Sequence, residues 1–233
     1  MAEQLPLQFE HRVNRSFNNF YPGNNQEVVD HLKNCIAGSG EQQIYIWGGK
    51  GMGKSHLLQA ASQLAQEQKK TTFYYAFTAN ALPSTDILAG IDEYEVVCFD
   101  NIEAIAGDSD WEHSFFNFYN RHRDQGFKLI LSSEFPPTEL PVQLPDLKTR
   151  LNWGLTLKLQ DLSDEDSIKA LAYKAKQMGF EISPKIGRFL LDHYARDLSA
   201  LWELLDRLDQ ATLAAKRKLT LPFLKEILNK DED

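Results

Sequence analysis

The sequence predicts an α/β domain built on a parallel sheet and followed by a small all-helical domain. Up to about residue 160, segments that are apolar throughout alternate with segments of helical period. Strands of that kind must be covered on both faces, as they are in a parallel sheet flanked by helices. Beyond Leu159 only helical patterns remain. We therefore divide the chain into an N-terminal arm (residues 1–22), an α/β domain (residues 23–160) and a helical domain (residues 161–233).

The α/β domain contains segments with the composition of buried strands and segments with helical spacing. The predicted strands cover Gln43–Trp47, Thr71–Ala76, Tyr94–Asp100 and Phe127–Ser132, and a last strand follows Arg150. The predicted helices cover Asn24 or Asn25 to Cys35, Lys54–Gln68 and Trp111–Asp124. Either asparagine can cap the first helix, and the Gly38-Ser39-Gly40 break ends it.

Four helices are expected in the second domain. Ser163 and Asp166 have the spacing of a capping box, and Pro184 after Ser183 occupies the tolerated first turn of the next helix. The third helix runs from about Leu198 to Lys216, and Pro222 opens a short fourth one.

The composition excludes several classes of protein. The 233 residues carry 33 acidic and 25 basic side chains, a formal net charge of -8, which is too acidic for a protein that binds DNA directly and sequence-specifically. No stretch approaches the roughly 20 apolar residues of a membrane span, and the N-terminus lacks a signal-peptide pattern. Cys35 and Cys98 stand far apart in apolar stretches, which argues against a disulfide or a zinc site. A soluble cytoplasmic protein is expected.

The strongest motif lies between the first predicted strand and the second helix. It satisfies the G-x-x-x-x-G-K-[ST] pattern with Gly48, Gly49, Lys50, Gly51, Met52, Gly53, Lys54 and Ser55. Its glycines let backbone N–H groups point inward at a phosphate. Lys54 would reach the outer phosphates, and the Ser55 hydroxyl would bind Mg²⁺. The alternative is a plain glycine-rich turn, but such a turn does not require the flanking strand and helix.

A second motif supports the first. The apolar run Val96–Phe99 is followed by Asp100. In nucleotide sites of this class, the strand that supplies the magnesium-binding acid likewise ends in an acidic residue. Taken alone, an aspartate after a strand is also a common turn signal. The next residue is Asn101, whose amide can orient water but cannot accept its proton. Intrinsic hydrolysis should therefore be slow.

Three runs of the sequence resemble the replication initiator DnaA and its clade of AAA+ ATPases. They are Ile46–Leu58, which contains the phosphate motif, Phe17–Asn24, and Arg150–Leu155; the similarity extends from Phe17 to Leu228. The resemblance implies an AAA+ P-loop domain with a helical lid. It further implies ADP or another nucleoside di- or triphosphate with Mg²⁺ on Ser55 and Asp100.

The same resemblance assigns roles around the nucleotide. Phe20 and Tyr21 belong to the segment that would wrap the nucleotide base, and His56, next to Ser55, would also bind the nucleotide. The sensor-1 residue would be Ser132 or Ser133, and the sensor-2 position would fall on Arg196 or Ser199. Arg150 would be an arginine finger that enters the nucleotide site of a neighbouring protein, although most arginines at a domain edge simply form surface ion pairs.

The arm contains a short peptide, Gln4-Leu5-Pro6-Leu7-Gln8-Phe9, that resembles the segment with which replication proteins dock on the β sliding clamp. Its chemistry is an amide, Gln4, followed by apolar anchors at Leu5, Leu7 and Phe9. The alternative is a frayed terminus with a few leucines. Docking would bring the protein to the bacterial nucleoid through the clamp.

The resemblance of these features to the DnaA clade implies a negative regulator of replication initiation. It would hold ADP, dock on the DNA-loaded clamp and use Arg150 to stimulate hydrolysis of the ATP bound to DnaA. An ATP-driven helicase or replication-factor loader of the same fold is the alternative. A P-loop kinase is disfavoured because a kinase carries its lid within one domain. The sequence leaves both a monomer and self-association open.

Overall fold

The computed structural model of the chain describes residues 15–194 and 198–229. Five strands form one parallel sheet, as the sequence predicts: β1 (Gln43–Trp47), β2 (Thr72–Ala76), β3 (Val96–Asp100), β4 (Lys128–Ser133) and β5 (Leu155–Lys158). Their order across the sheet is β2-β3-β4-β1-β5. All carboxyl ends therefore share one edge, where the residue after β1 lies beside the ends of β4 and β5.

Four helices accompany the sheet: α1 (Gln26–Ala37), α2 (Lys54–Glu67), α3 (Ser109–Asp124) and α4 (Pro145–Leu151). The first three begin and end within two residues of their predicted bounds. Helix α3 begins two residues early because Asp108 caps it, its Oδ1 accepting hydrogen bonds from the backbone N–H groups of Asp110 at 3.1 Å and Trp111 at 3.0 Å. Helix α4 is not predicted by the sequence.

Each face of the sheet has its own apolar core. Successive strand residues point to opposite faces, so Val97 and Phe99 pack with α3 on one face while Val96 and Cys98 pack with α1 and α2 on the other. All four of these side chains are fully buried. This two-sided burial is the physical reason why the strands are apolar throughout.

The predicted asparagine cap of α1 is wrong in its chemistry. Asn25 occupies the N-cap position, but its side chain makes no capping hydrogen bond. It pairs instead with the backbone of Gln160, donating from Nδ2 to the carbonyl at 2.9 Å and accepting from the N–H at 2.7 Å. Asn25 thus fastens the start of α1 to the segment that leaves β5.

The helical domain consists of α5 (Asp164–Met178), α6 (Pro184–His193), α7 (Leu198–Ala215) and α8 (Leu221–Asn229), and it has a separate apolar core. The Ser163 hydroxyl oxygen caps α5 by accepting from the Asp166 N–H at 3.1 Å. The Asp166 carboxylate accepts a hydrogen bond from the Ser163 hydroxyl at 2.9 Å. In a standard capping box it would accept from the Ser163 backbone N–H instead, so the predicted box forms through the two side chains.

Residues 15–22, counted with the arm in the sequence analysis, lie on the α/β domain in the structure. Phe17 and Phe20 pack against the core on the α1 and α2 face. The predicted clamp-binding residues Gln4, Leu5, Leu7 and Phe9, and the sensor-2 candidate Arg196, lie outside the described residues. In the part of the chain that is described, no helix is long and apolar enough to cross a membrane.

Candidate nucleotide site and arginine surface

The phosphate motif forms the turn between β1 and α2, at the carboxyl edge of the sheet. Gly53 sits at the N-cap of α2 with φ +94°, in the left-handed region that favours glycine. A Cβ atom at this position would lie 2.8 Å from Phe20 Cε2, too close for any side chain. Phe20 therefore packs directly against the turn at Gly53. The backbone N–H groups at the start of α2 are free to bind an anion.

Lys54 lies inside the turn and is only 7% exposed. Its Nζ donates to the carbonyl oxygens of Gly48 at 2.6 Å and Gly49 at 2.7 Å. Burial lowers the pKa of Lys54, and the nearby carboxylates of Glu134, Glu103 and Asp100 oppose that shift. A phosphate oxygen carries more charge than a peptide carbonyl, so the ammonium group has a stronger partner in a nucleotide than in its own loop.

Asp100 ends β3 as predicted and is 1% exposed. Its Oδ1 accepts a hydrogen bond from the Ser132 hydroxyl, and its Oδ2 accepts one from the Tyr74 hydroxyl at 3.0 Å. Ser55 lines the adjoining cleft. A serine hydroxyl and a carboxylate are hard oxygen donors that suit Mg²⁺, which usually keeps several waters between itself and the protein. The donor set fits the ion, and Ser132 fixes the carboxylate that would bind it.

Asn101 and Glu103 follow the strand. Asn101 has φ +58°, and its Nδ2 donates to the carbonyl of Phe77 at 3.2 Å. The amide nitrogen of Asn101 is thus used in a structural hydrogen bond. Glu103 was not singled out in the sequence, yet its buried Oε2 has no hydrogen-bond partner among the described residues, and burial raises the pKa of this carboxyl group.

A cleft of about 680 Å³ opens beside the phosphate turn, and Phe20, Tyr21 and His56 line it together with the turn. The His56 Nε2 lies 2.9 Å from the Ser16 carbonyl oxygen, to which its N–H donates, and burial lowers the pKa of His56 to about 4. The Phe20 ring lies 5.5 Å from the His56 ring. Neutral His56 therefore holds the segment that carries Phe20 and Tyr21 against α2.

The helical domain closes the other side of the cleft. The Tyr21 hydroxyl donates to Asp166 at 3.3 Å. The carbonyl oxygen of Asn18 accepts from the Tyr173 hydroxyl and from Gln177 Nε2, the latter at 3.0 Å. These contacts join the N-terminal segment directly to α5.

Helix α7 also faces the cleft, with Trp202, Glu203 and Asp206 among the lining residues. No sequence motif marks them, because the lid brings them to the cleft from far along the chain. Two carboxylates of α7 thus face the same space as Lys54.

Arg150 lies at the opposite end of the sheet from the phosphate turn. The neighbouring Leu151 carbonyl accepts a hydrogen bond from Gln43 Nε2 at 3.1 Å, and Gln43 begins β1 whereas the turn follows Trp47 at its end. A strand of this length spans roughly 13 to 17 Å. The structure therefore does not bring Arg150 to the chain's own nucleotide cleft.

The Arg150 side chain is oriented by neutral groups. Its Nε donates to Asn120 Oδ1 at 3.1 Å. Its guanidinium carbon lies 3.9 Å from the centroid of the Trp153 ring and 6.0 Å from that of Phe116. Among the described residues no carboxylate pairs with Arg150 within 4.0 Å, in contrast to Arg121, which binds Asp92 at 2.6 Å. These contacts differ from the ordinary surface ion pair that was the alternative for Arg150.

Comparison with protein families decides the assignment. Residues 12–158 match the family described as the bacterial DnaA ATPase domain. The chain belongs to this family. Residues 164–228 match the model described as the lid domain of Hda, so the chain combines a DnaA-type AAA+ domain with an Hda-type lid. The predicted membership of the DnaA clade is confirmed, and this is a DnaA-related replication protein.

Solved structures of DnaA share the fold. Domain III of DnaA from Thermotoga maritima matches with a TM-score of 0.77 and 18% identity, covering 94% of this chain and 97% of that one. A DnaA bound to AMPPCP and single-stranded DNA matches with a TM-score of 0.74 and 20% identity, over 87% of this chain and 68% of that one. AMPPCP-bound DnaA from Aquifex aeolicus gives 0.72 and 20%, over 86% and 66%. The predicted AAA+ fold with a helical lid is confirmed.

Proposed function

We propose that this DnaA-related protein is an ADP-bound negative regulator of replication initiation. It docks on the β sliding clamp through its N-terminal arm and presents Arg150 to the ATP bound on DnaA. The observation that carries the proposal is the position of Arg150, which lies at the opposite end of the sheet from its own phosphate turn and has no carboxylate partner among the described residues. An arginine so placed suits a phosphate on another molecule.

The resident nucleotide is supported by the geometry of the cleft. Lys54 and the glycine turn supply a phosphate cradle, and the cleft has the volume of a small-molecule site. Two of the DnaA structures that share the fold were solved with the ATP analogue AMPPCP. ADP is preferred over ATP in this proposal because Glu203 and Asp206, on the lid side of the cleft, oppose the charge of a third phosphate; Lys50 and Lys174 in the same lining attract the phosphates of either nucleotide. Ser55 and Asp100 would hold Mg²⁺, which would neutralise phosphate charge there.

The role of Arg150 follows from its chemistry. A guanidinium presents a planar fork that matches phosphate oxygens and remains protonated at every physiological pH. Because its Nε is already held by Asn120, the terminal amino groups are the ones directed at a partner. In the transition state of phosphoryl transfer such a group stabilises charge on the phosphate, an effect worth about 10³- to 10⁵-fold in other nucleotide hydrolases.

The test is single-turnover phosphate release from DnaA-bound ATP on clamp-loaded DNA. Arg150→Ala should lower the stimulated rate by about 10³-fold or more while ADP and clamp binding stay normal. Arg150→Lys should also fail because a point charge does not replace the fork. Arg121→Ala, which removes an arginine paired with Asp92, is the matched control. Equal rates for wild-type and Arg150→Ala would refute the proposal.

The same assay examines the arm. Alanine at Gln4, Leu7 and Phe9 should abolish clamp binding and, with it, the stimulated hydrolysis. The melting temperature should not change, because we expect these three residues, unlike Phe17 and Phe20, to make no contact with the core. Unchanged clamp affinity would remove the docking step from the proposal.

One observation favours the alternative function, an ATP-driven helicase or replication-factor loader. Glu103 lies near Lys54 and carries a buried carboxyl oxygen that finds no hydrogen-bond partner in the described part of the chain. A carboxylate in this neighbourhood can serve as a base for water. ATP turnover by the purified chain, lost in Glu103→Gln, would support that alternative. Our proposal expects negligible turnover in both proteins.

A further inference from the structure

The turn that follows α4 places an exposed tryptophan within cation–aromatic distance of two arginines. Trp153 is 38% exposed. The guanidinium carbon of Arg150 lies 3.9 Å from its ring centroid, and that of Arg123 lies 4.8 Å from the same centroid. A large aromatic side chain that is left exposed and covered by cations is not explained by core packing.

The backbone fixes the position of this indole. The Trp153 N–H donates to the Arg150 carbonyl at 3.0 Å, which closes the turn. The next residue, Gly154, has φ +79°, and a Cβ there would lie 2.5 Å from the Gln43 carbonyl oxygen. Only glycine fits, so the turn is pressed against the start of β1 and the ring is carried on a rigid base.

Neither of the two arginines forms an ion pair with a carboxylate within the described ranges, although the chain as a whole has a net charge of -8. An aromatic ring attracts a cation through its quadrupole without neutralising it, whereas a carboxylate would compete with an incoming phosphate. Two like charges held near one ring repel each other, and an anionic group that approaches both guanidinium groups relieves that repulsion.

We propose that Trp153 is a positioning residue for Arg150. The indole holds the guanidinium in a defined orientation with its charge available, and Arg123 adds a second positive charge at the same surface. The partner group is a polyphosphate bound on another protein. This inference rests on the proposed function, because it assumes that Arg150 acts on a nucleotide outside this chain.

The chemistry also resembles a surface for single-stranded nucleic acid, where aromatic rings and basic side chains meet. The geometry favours the protein-bound phosphate. Arg150 is anchored at Nε by Asn120 as well as stacked, which specifies one orientation, while a strand-binding surface relies on a ring free to stack with bases. In this molecule the ring is already occupied by guanidinium groups.

The experiment measures stimulated hydrolysis of DnaA-bound ATP against DnaA concentration for Trp153→Leu and Trp153→Phe. Trp153→Leu should lower kcat roughly two- to five-fold, the effect of losing an exposed cation–aromatic contact, with KM for DnaA nearly unchanged. Trp153→Phe should restore most of the rate because it keeps an aromatic face. The double variant Arg150→Ala with Trp153→Leu should be no worse than Arg150→Ala, since Trp153 acts only through that arginine.

Phe189→Leu is the matched control, because it removes a cation–aromatic pair with Lys225, 5.3 Å apart in the lid. It should leave kcat unchanged. A wild-type kcat in Trp153→Leu, alongside a lost rate in Arg150→Ala, would overturn this inference alone; an unaffected Arg150→Ala would overturn the proposed function. A raised KM with normal kcat would make the ring a docking contact instead. Binding of a single-stranded oligonucleotide that is lost in Trp153→Leu would likewise refute the positioning role.

Discussion

Lowering the pH from 7.5 to 5.0 should destabilise this protein, because His122 is buried and His56 half-buried, each as a neutral ring. The ring of His56 lies between Ser16 and Phe20, and that of His122 lies near Phe118 with its Nε2 2.9 Å from the Tyr94 carbonyl oxygen. Burial lowers the pKa of each from 6.5 to about 4. Between these values the unfolded chain binds protons that the folded chain excludes, so stability is complete above pH 6.5 and is lost as the pH falls toward 4.

The size of the effect follows from the shift. Each histidine should cost about 2 kcal/mol between pH 7.5 and pH 5.0, and about 3 kcal/mol by pH 4. Both together should lower the free energy of unfolding by about 4 kcal/mol at pH 5.0. In a domain of this size that moves the urea midpoint down by about 1 M or more. Glu103, whose pKa is raised by burial, acts in the opposite direction and is untouched by changes to the histidines.

The assay is urea unfolding at the two pH values for wild-type, His56→Gln and His122→Gln. Each variant should lose stability at pH 7.5 yet show about half the wild-type dependence on pH. His193→Gln, which alters an exposed histidine, is the control and should keep the full dependence. If the wild-type midpoint is the same at both pH values, or if neither variant flattens the difference, the reasoning from burial is refuted.

Two further predictions concern the nucleotide. Lys54→Ala should remove ADP binding in calorimetry because the buried ammonium is the mobile positive charge of the phosphate turn; unchanged affinity would contradict the site. Glu203→Gln combined with Asp206→Asn should raise ATP affinity roughly ten-fold or less relative to ADP, since charges facing a cleft act across partly hydrated space. The control is Asp209→Asn, on the same helix but outside the cleft lining. If the double variant leaves the ratio of ATP to ADP affinity unaltered, the two carboxylates do not select the nucleotide.

The sequence predicts the parts of the site that are contiguous in the chain. The phosphate turn needs a strand, glycines and a helix start in succession, so its pattern contains its own structural context. The contribution of α7 has no such pattern. Glu203 and Asp206 face the cleft only because the lid packs against the first domain through Asn18 and Tyr21, and long-range packing of that kind leaves no local signal.

Helix α4 was missed for a related reason. The segment before it is held by Glu112, a carboxylate 1% exposed that accepts hydrogen bonds from the N–H groups of Gly107 at 2.7 Å, Gln143 at 3.0 Å and Leu144 at 2.7 Å. Nothing near Pro145 reveals that a residue on α3 will organise this turn. The predicted asparagine cap of α1 is wrong for the same reason. The Asn25 side chain hydrogen-bonds the backbone of Gln160, which is distant in the sequence, and not the N–H groups of its own helix.

The proposed nucleotide site and the proposed arginine finger lie at opposite ends of the sheet. The nucleotide cleft lies at the carboxyl ends of the strands, where the N-terminal segment and the lid meet across Asn18. Arg150 is held at the amino end of β1 by contacts with Asn120 and Trp153 that involve neither the lid nor the cleft. We therefore expect ADP to order the N-terminal segment and the lid while leaving the orientation of Arg150 unchanged. We propose that the bound nucleotide governs how the N-terminal segment is held, whereas the chemistry at Arg150 depends on the partner's nucleotide alone.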